Sequence, residues 1–148
     1  SQSSDGVSSR RPMQISDLTK MMLEESPFNG MGDDIEYLLE VSSDQGGLFL
    51  EKDGDDVVGF LVALIAYEHP VIGRCKIATE IGWYVHPDHR HKGIARRLLD
   101  RYDDWAYREG CSHSLTSAML NESFDQVKAA YEKRGYKPVE MSFIREVK

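Results

Sequence analysis

The densest run of chemically capable residues is His86-Pro87-Asp88-His89-Arg90-His91-Lys92-Gly93-Ile94-Ala95. It stands between an extended segment and the start of an amphipathic helix. A helix N-terminus presents backbone N–H groups that have no intrahelical acceptor, together with the positive end of the macrodipole. It is therefore a natural receptor for phosphate oxygens. Gly93 lets such a group approach the backbone, and Arg90, Lys92, Arg96 and Arg97 concentrate positive charge in a chain whose net charge is -7. The physical reading is a pyrophosphate site. For a lone glycine beside basic residues the alternative is a surface loop ahead of a capped helix. His86, His89 and His91 match no standard metal-ligand spacing and no Cys or Asp pair completes them, so no metal is expected; phosphate hydrogen bonding or plain exposure suits them. Cys75 and Cys111 read as small apolar fillers, since neither has a neighbouring histidine or a helix start to activate it.

Regular elements must hold this loop in place. After it, Ile94, Leu98, Leu99, Tyr102, Trp105 and Ala106 recur at helical spacing, with Arg96, Arg97, Asp100, Asp103, Asp104 and Arg108 on the other face, until Gly110. Before it, Ile77 to Val85 reads as a strand that stops at His86-Pro87. Ser112 to Met119 reads as the next strand, joined through the helix and hence parallel to the one before. Upstream, Leu48 to Glu51 alternate, Asp53-Gly54 signals a hairpin, and the apolar run Val57 to Tyr67 suits a strand buried on both faces. Ser16 or Asp17 is the expected cap of a first helix carrying Leu18, Met21 and Met22. Ser26 to Gly32 reads as a loop, and Asp33 or Asp34 caps a second helix with Ile35, Leu38 and Leu39. Ser123 with Gln126 is a capping-box pattern that opens the last helix, which carries Val127, Ala130 and Tyr131 to Gly135. Met141, Phe143 and Ile144 are expected in a final strand. The sum is a mixed sheet flanked by helices, with a strand-helix-strand unit around the loop.

The chain has the length of one domain at 148 residues. The reading is a polar tail over 1–9 and a single domain over 10–148. No apolar run approaches the roughly 18 residues needed to cross a bilayer, so no membrane partner is expected. The acidic balance argues against nucleic acid as a partner, because such binding relies on Lys and Arg displacing counterions; a cationic partner fits better. Only two cysteines and no apolar leader point to the cytoplasm.

Arg-x-x-Gly-x-Ala over Arg90 to Ala95, following a strand that ends in Val-x-Pro, resembles the acyl-CoA-binding core of the GCN5-related N-acetyltransferase superfamily, the whole similar segment running from Glu80 to Gly110. Arg11-Pro12 with Ser16-Asp17-Leu18, Val57-Val58-Gly59-Phe60, and Tyr131-Glu132-Lys133-Arg134-Gly135-Tyr136 are similar to its opening, its third strand and its last helix. The resemblance implies an α/β fold with a mostly antiparallel central sheet and a β-α-β acyl-CoA core. It implies that backbone amides over Arg90, His91, Lys92, Gly93, Ile94 and Ala95, with Arg96 following, hold the pyrophosphate of acetyl-CoA. It further implies that the backbone around Tyr84 and Val85 pairs with the pantetheine arm and polarises the thioester carbonyl, and that no metal is required. Ala95 stands where many members have a second glycine. Phe124 stands where members often have an asparagine, and Asn121, about a turn earlier, is carried over in its place.

The implied activity is N-acetyl transfer from acetyl-CoA to an amine by direct attack in a ternary complex. Tyr131 is the expected acid toward the departing thiolate, and Glu80 the expected base or amine-orienting carboxylate. Strand alternation leaves open whether Glu80 or Thr79 faces the thioester unless a bulge intervenes. Asp33, Asp34, Glu36 and Glu68 read either as attractors of a cationic acceptor or as solvated acids. The acceptor is an amine-bearing small molecule or a protein, and the resemblance also admits a homodimer. A noncatalytic acyl-CoA-sensing or partner-binding member of the same fold is the alternative.

Overall fold

The computed structural model describes residues 10–26 and 35–147. The tail over 1–9, most of the loop expected from Ser26 to Gly32, and Asp33 and Asp34 lie outside the described residues. The chain divides into two units, one up to Ser117 and one from Ala118. The first contains α1 (Ile15–Glu25), α2 (Ile35–Asp44), β1 (Leu48–Asp53), β2 (Asp56–His69), β3 (Gly73–Val85), α3 (Ile94–Arg108) and β4 (His113–Leu115); the second contains α4 (Phe124–Lys133).

The strands form one four-stranded sheet in the order β1-β2-β3-β4. β2 runs antiparallel to both of its neighbours, β1 and β3, as the short turns between them require, and β4 returns through α3 to run parallel to β3. β2 is buried without a break from Val57 to Ala63 because helices cover both faces, but the double burial expected as far as Tyr67 is not reached, and Tyr67 is exposed. On one face Leu18, Met21 and Met22 of α1 and Leu39 of α2 pack with Phe60, Val62 and Tyr84. On the other, α3 approaches so closely that a Cβ at Gly59 would stand 2.8 Å from Ile94 Cγ2. The α3 stripe of Ile94, Leu98, Leu99, Tyr102, Trp105 and Ala106 is buried as its spacing predicts. Trp105 meets Phe49 of β1 edge-on at 6.0 Å between ring centres. No helix among the described residues is long and apolar enough to cross a membrane.

Four local expectations need correction. The cap of α1 is Gln14 rather than Ser16 or Asp17. Asp17 lies a turn inside, where its carboxylate accepts the Gln14 N–H at 2.8 Å and pairs with Arg11 at 2.9 Å, so it serves the same orphan amide from the other side of a capping box. The strand expected from Ser112 to Met119 pairs only over His113–Leu115. The ladder ends because the next available donor, the Ser117 N–H, is taken by the Glu80 carboxylate at 3.0 Å. In the second unit, Ser123 stands at the cap of α4 but its side chain makes no capping bond; Asn121 Oδ1 accepts the Ser123 N–H at 2.9 Å instead. The final strand is not formed. Residues 136–147 carry no regular element and Met141, Phe143 and Ile144 are exposed. A strand exists only through a ladder to a neighbour, and among the described residues no strand pairs with this segment.

Candidate acyl-CoA site

β3 continues to Val85, while its ladder with β4 stops at the Thr79–Leu115 pair. From Glu80 to Val85, β3 therefore has a strand neighbour only on its β2 side, and beyond its other edge the Val85 carbonyl is held by Arg90 Nε at 3.0 Å. The ladder to β2 pairs Ala63 with Glu80 but Val62 with Gly82, so Ile81 is an extra, bulged residue. That bulge sets the side of the sheet each residue takes. Glu80 shares the α3 side of the sheet with Ala63, whereas Thr79 pairs with Leu64 on the side of α1 and α2. Glu80 is only 4% exposed.

Past Val85 the chain stays on the sheet through the His86 N–H to the Val58 carbonyl at 2.8 Å. A single 3-10 turn follows over Pro87–His89, closed by the Asp88 N–H donating to His86 Nδ1 at 3.1 Å. The backbone then enters the left-handed region at His91 (φ 68) and again at Gly93 (φ 78), which caps α3 with no side chain of its own. Alternation of this kind turns successive N–H groups inward, as an anion-binding nest does. The N–H groups of His91, Lys92, Gly93, Ile94 and Ala95 have no acceptor among the described residues. The guanidinium groups of Arg97 and Arg96 come within 3.4 and 3.6 Å of where a Gly93 Cβ would be. Arg97 is anchored by Glu51 at 2.8 Å and by the Lys92 carbonyl at 3.3 Å. A concave row of unpaired donors beside fixed cations fits a pyrophosphate.

The family follows from this segment and its setting. A model of the acetyltransferase (GNAT) family matches residues 14–136. The chain belongs to the acetyltransferase (GNAT) family. Among solved structures, the GNAT protein is similar to the aminoglycoside N-acetyltransferase AAC(6')-Iy in complex with CoA, at 19% identity and a TM-score of 0.59, over 78% of this chain and 84% of that one. The same aminoglycoside enzyme with the bisubstrate analog CoA-S-monomethyl-acetylneamine gives 19% identity and a TM-score of 0.61 over 93% and 96%. A ribosomal-protein-alanine N-acetyltransferase from Brucella melitensis biovar Abortus 2308 gives 26% identity and a TM-score of 0.54 over 66% and 68%. The two aminoglycoside-enzyme structures show a shared fold. No curated protein matches the chain.

In this GNAT protein the expected site residues fall into distinct groups. His91, Lys92, Gly93, Ile94, Ala95 and Arg96 form the loop and first turn of α3. Arg90 is turned differently: its Nε donates to the Val85 carbonyl at 3.0 Å, its Nη2 lies 3.4 Å from Glu25 Oε1, and its guanidinium covers the Tyr84 ring at 5.2 Å. Tyr84 donates its phenol to Glu25 Oε2. In the second unit, Tyr131 is buried on α4, with its ring 5.8 Å from that of Tyr136, and Asn121 shapes the turn into that helix. Among the described residues no group of three or more His, Cys, Asp or Glu could hold a metal ion. His86 and His89 meet in a T-shaped arrangement with ring centres 5.6 Å apart. Burial pushes the Cys111 thiol up, away from the thiolate a nucleophile needs, with Lys76 opposing and Glu109 reinforcing.

Glu25 is the residue the sequence reading missed. It closes α1 one turn beyond Met22, so a carboxylate continues the stripe of Leu18, Met21 and Met22. An acidic residue at a core-stripe position is the signal that marks it.

Proposed function

We propose that the protein is an N-acetyltransferase that passes the acetyl group of acetyl-CoA to an amine by direct attack in a ternary complex. The observation that carries this reading is the row of unpartnered N–H groups from His91 to Ala95 at the end of a strand whose ladder has been cut short. The thioester supplies an activated acyl carbon. This chain's own residues do the rest. The loop amides, with Lys92 and Arg96 beside them, neutralise the pyrophosphate. The edge of β3 at Tyr84 and Val85, left without a β4 partner, is assigned to meet the pantetheine arm and to polarise the thioester carbonyl through a backbone N–H, the Val85 carbonyl being held by Arg90.

Attack by a neutral amine forms the C–N bond, breaks the C–S bond, and requires the ammonium proton to pass to solvent water and the departing thiolate to be protonated. Tyr131 is assigned the second task. Glu80 is assigned as a positioning residue: its carboxylate holds the Ser117 N–H and keeps β4 from zipping further along β3. With that carboxylate committed on the α3 side, the geometry does not carry the base role expected for it. The 26% identity to a ribosomal-protein-alanine N-acetyltransferase and the fold shared with aminoglycoside enzymes both support an amine acceptor.

The test is calorimetric titration of the full chain with acetyl-CoA, alongside the Gly93→Glu and Tyr131→Phe variants. Binding at about micromolar Kd, lost by a factor of about 10² or more in Gly93→Glu, is expected, since a carboxylate would occupy the nest. Tyr131→Phe should bind normally and lose turnover. A folded wild-type protein that does not bind acetyl-CoA refutes the proposal.

A further inference from the structure

We infer that the acceptor is a primary amine bearing an apolar substituent, its ammonium held by Glu25 and its apolar part by Met22, Ile35, Leu38 and Ile81. This rests on the acetyltransferase reading above and narrows its substrate class.

Met22 and Glu25 are three residues apart on α1 and share a face. Below them, Gly82 and Tyr84 are two apart on β3 and share a face. The pairs meet in register: Met22 Cε lies 3.6 Å from where a Gly82 Cβ would stand, and Glu25 accepts the Tyr84 phenol. Both contacts fall on the stretch of β3 left without a β4 partner. Beside them is a cavity of ≈ 30 Å³ lined by Met22, Ile35, Leu38 and Ile81 over Phe60 and Val62, with no charged side chain. The bulge at Ile81 creates it, because it turns Ile81 to the side that Gly82 leaves empty. The volume holds about one water. Its wall includes an unbranched thioether that can change rotamer to admit a larger apolar group. Leu38 and Ile81, at 38% and 39% exposed, keep apolar surface open to solvent at its mouth.

Glu25 has no helix-stabilising reason to be where it is. A carboxylate at the C-terminal end of a helix opposes the macrodipole, and α1 has no basic residue in its last turn. It is nevertheless held from two sides, by Tyr84 at one oxygen and by Arg90 at the other, while its side chain stays 45% exposed. An oriented, accessible carboxylate next to an apolar hole matches an ammonium joined to an apolar body. A polyhydroxylated amine would set hydroxyls against that lining, where the described residues Met22, Ile35, Leu38 and Ile81 offer no acceptor oxygen. The preference thus differs from the acceptor named for the aminoglycoside enzymes that share the fold.

The experiment follows CoA release by the full chain with acetyl-CoA and four probes: 2-phenylethylamine and hexylamine on one side, kanamycin and spermidine on the other. Expected is a kcat/KM at least about tenfold higher for the apolar amines. Glu25→Gln should raise KM for 2-phenylethylamine by about tenfold or more, with acetyl-CoA affinity unchanged. Leu38→Asp should weaken the apolar amines and narrow the gap to spermidine. Equal or better use of kanamycin, an unmoved KM in Glu25→Gln, or bound acetyl-CoA with neither class acetylated overturns the inference while leaving the cofactor site standing. Failure of the wild type to bind acetyl-CoA fails the underlying acetyltransferase reading instead.

Discussion

Replacing Glu80 with glutamine separates positioning from proton transfer. Glu80 is almost wholly buried and one of its oxygens accepts the Ser117 N–H at 3.0 Å. A hydrogen bond to a charged acceptor is worth roughly 1.5–3 kcal/mol and one to a neutral carbonyl roughly 0.5–1.5. Glu80→Gln keeps the acceptor and loses the charge, so it should cost about 1 kcal/mol, seen as a fall of about 2–4 °C in Tm for a chain of this size. Glu80→Ala removes the acceptor and leaves a hole, costing about 2–4 kcal/mol. If the carboxylate acts through Ser117, Glu80→Gln retains kcat/KM within about threefold and keeps the acidic limb of the pH–rate profile, whereas Glu80→Ala loses both stability and acetyl-CoA affinity as β4 shifts. A general base contributes about 10²–10⁴-fold. The decisive assay is CoA release against pH, paired with thermal unfolding of the same samples. A fall of about 10²-fold or more in kcat for Glu80→Gln, with Tm and acetyl-CoA affinity nearly unmoved and the acidic limb gone, would refute the positioning role and install Glu80 as the base.

Two further outcomes follow from the packing and the first helix. Gly59→Ala should cost about 1–3 kcal/mol by overpacking, because its Cβ would stand 2.8 Å from Ile94 Cγ2; measured in an Ile94→Ala background that cost should shrink below about 0.5 kcal/mol, and an unchanged cost by chemical denaturation contradicts the contact. Asp17→Ala should cost about 1 kcal/mol through the lost capping box. The Arg11 guanidinium, and after it the Gln14 N–H, hold the Asp17 carboxyl below its ordinary value of 3.8. With the folded value lower than the unfolded one, the stabilisation is fully present above that ordinary value and disappears as pH falls through the folded one. Wild type and variant melting curves should therefore converge in strong acid, and a gap that persists there contradicts the assignment.

The element order was legible wherever one period dominated a segment. The α3 stripe, the hairpin at Asp53-Gly54 and the doubly buried run from Val57 each carry their burial pattern in their own residues. The left-handed turn ahead of α3 was legible for a related reason, because a glycine directly before a helical stripe announces that conformation locally. What failed depended on partners far away in the chain. β4 stops at Leu115 because Glu80, 37 residues away from Ser117, supplies the acceptor, and no local pattern in Ser112 to Met119 records that. Gln14 rather than Ser16 caps α1 because Arg11 orients Asp17 to complete the box. Met141 and Phe143 alternate with polar neighbours as a strand does, yet alternation is a property of one segment and a ladder is a property of two.

The same distinction explains why Arg90 reads one way in the sequence and another in the structure. By type and spacing it belongs with Lys92 and Arg96 as a phosphate ligand. By contact it ties the carbonyl of Val85 to Glu25 and lies across Tyr84. Both the strand edge that would meet the pantetheine arm and the carboxylate proposed to meet the amine are thus held by one guanidinium. Arginine can do this where lysine cannot, because its planar fork donates in separate directions while its face stacks on a ring. Arg90→Lys should therefore weaken acceptor use through a displaced Glu25, raising the amine KM, while the loop amides keep acetyl-CoA bound; a variant that loses acetyl-CoA affinity first, with the amine KM intact, would return Arg90 to the phosphate site.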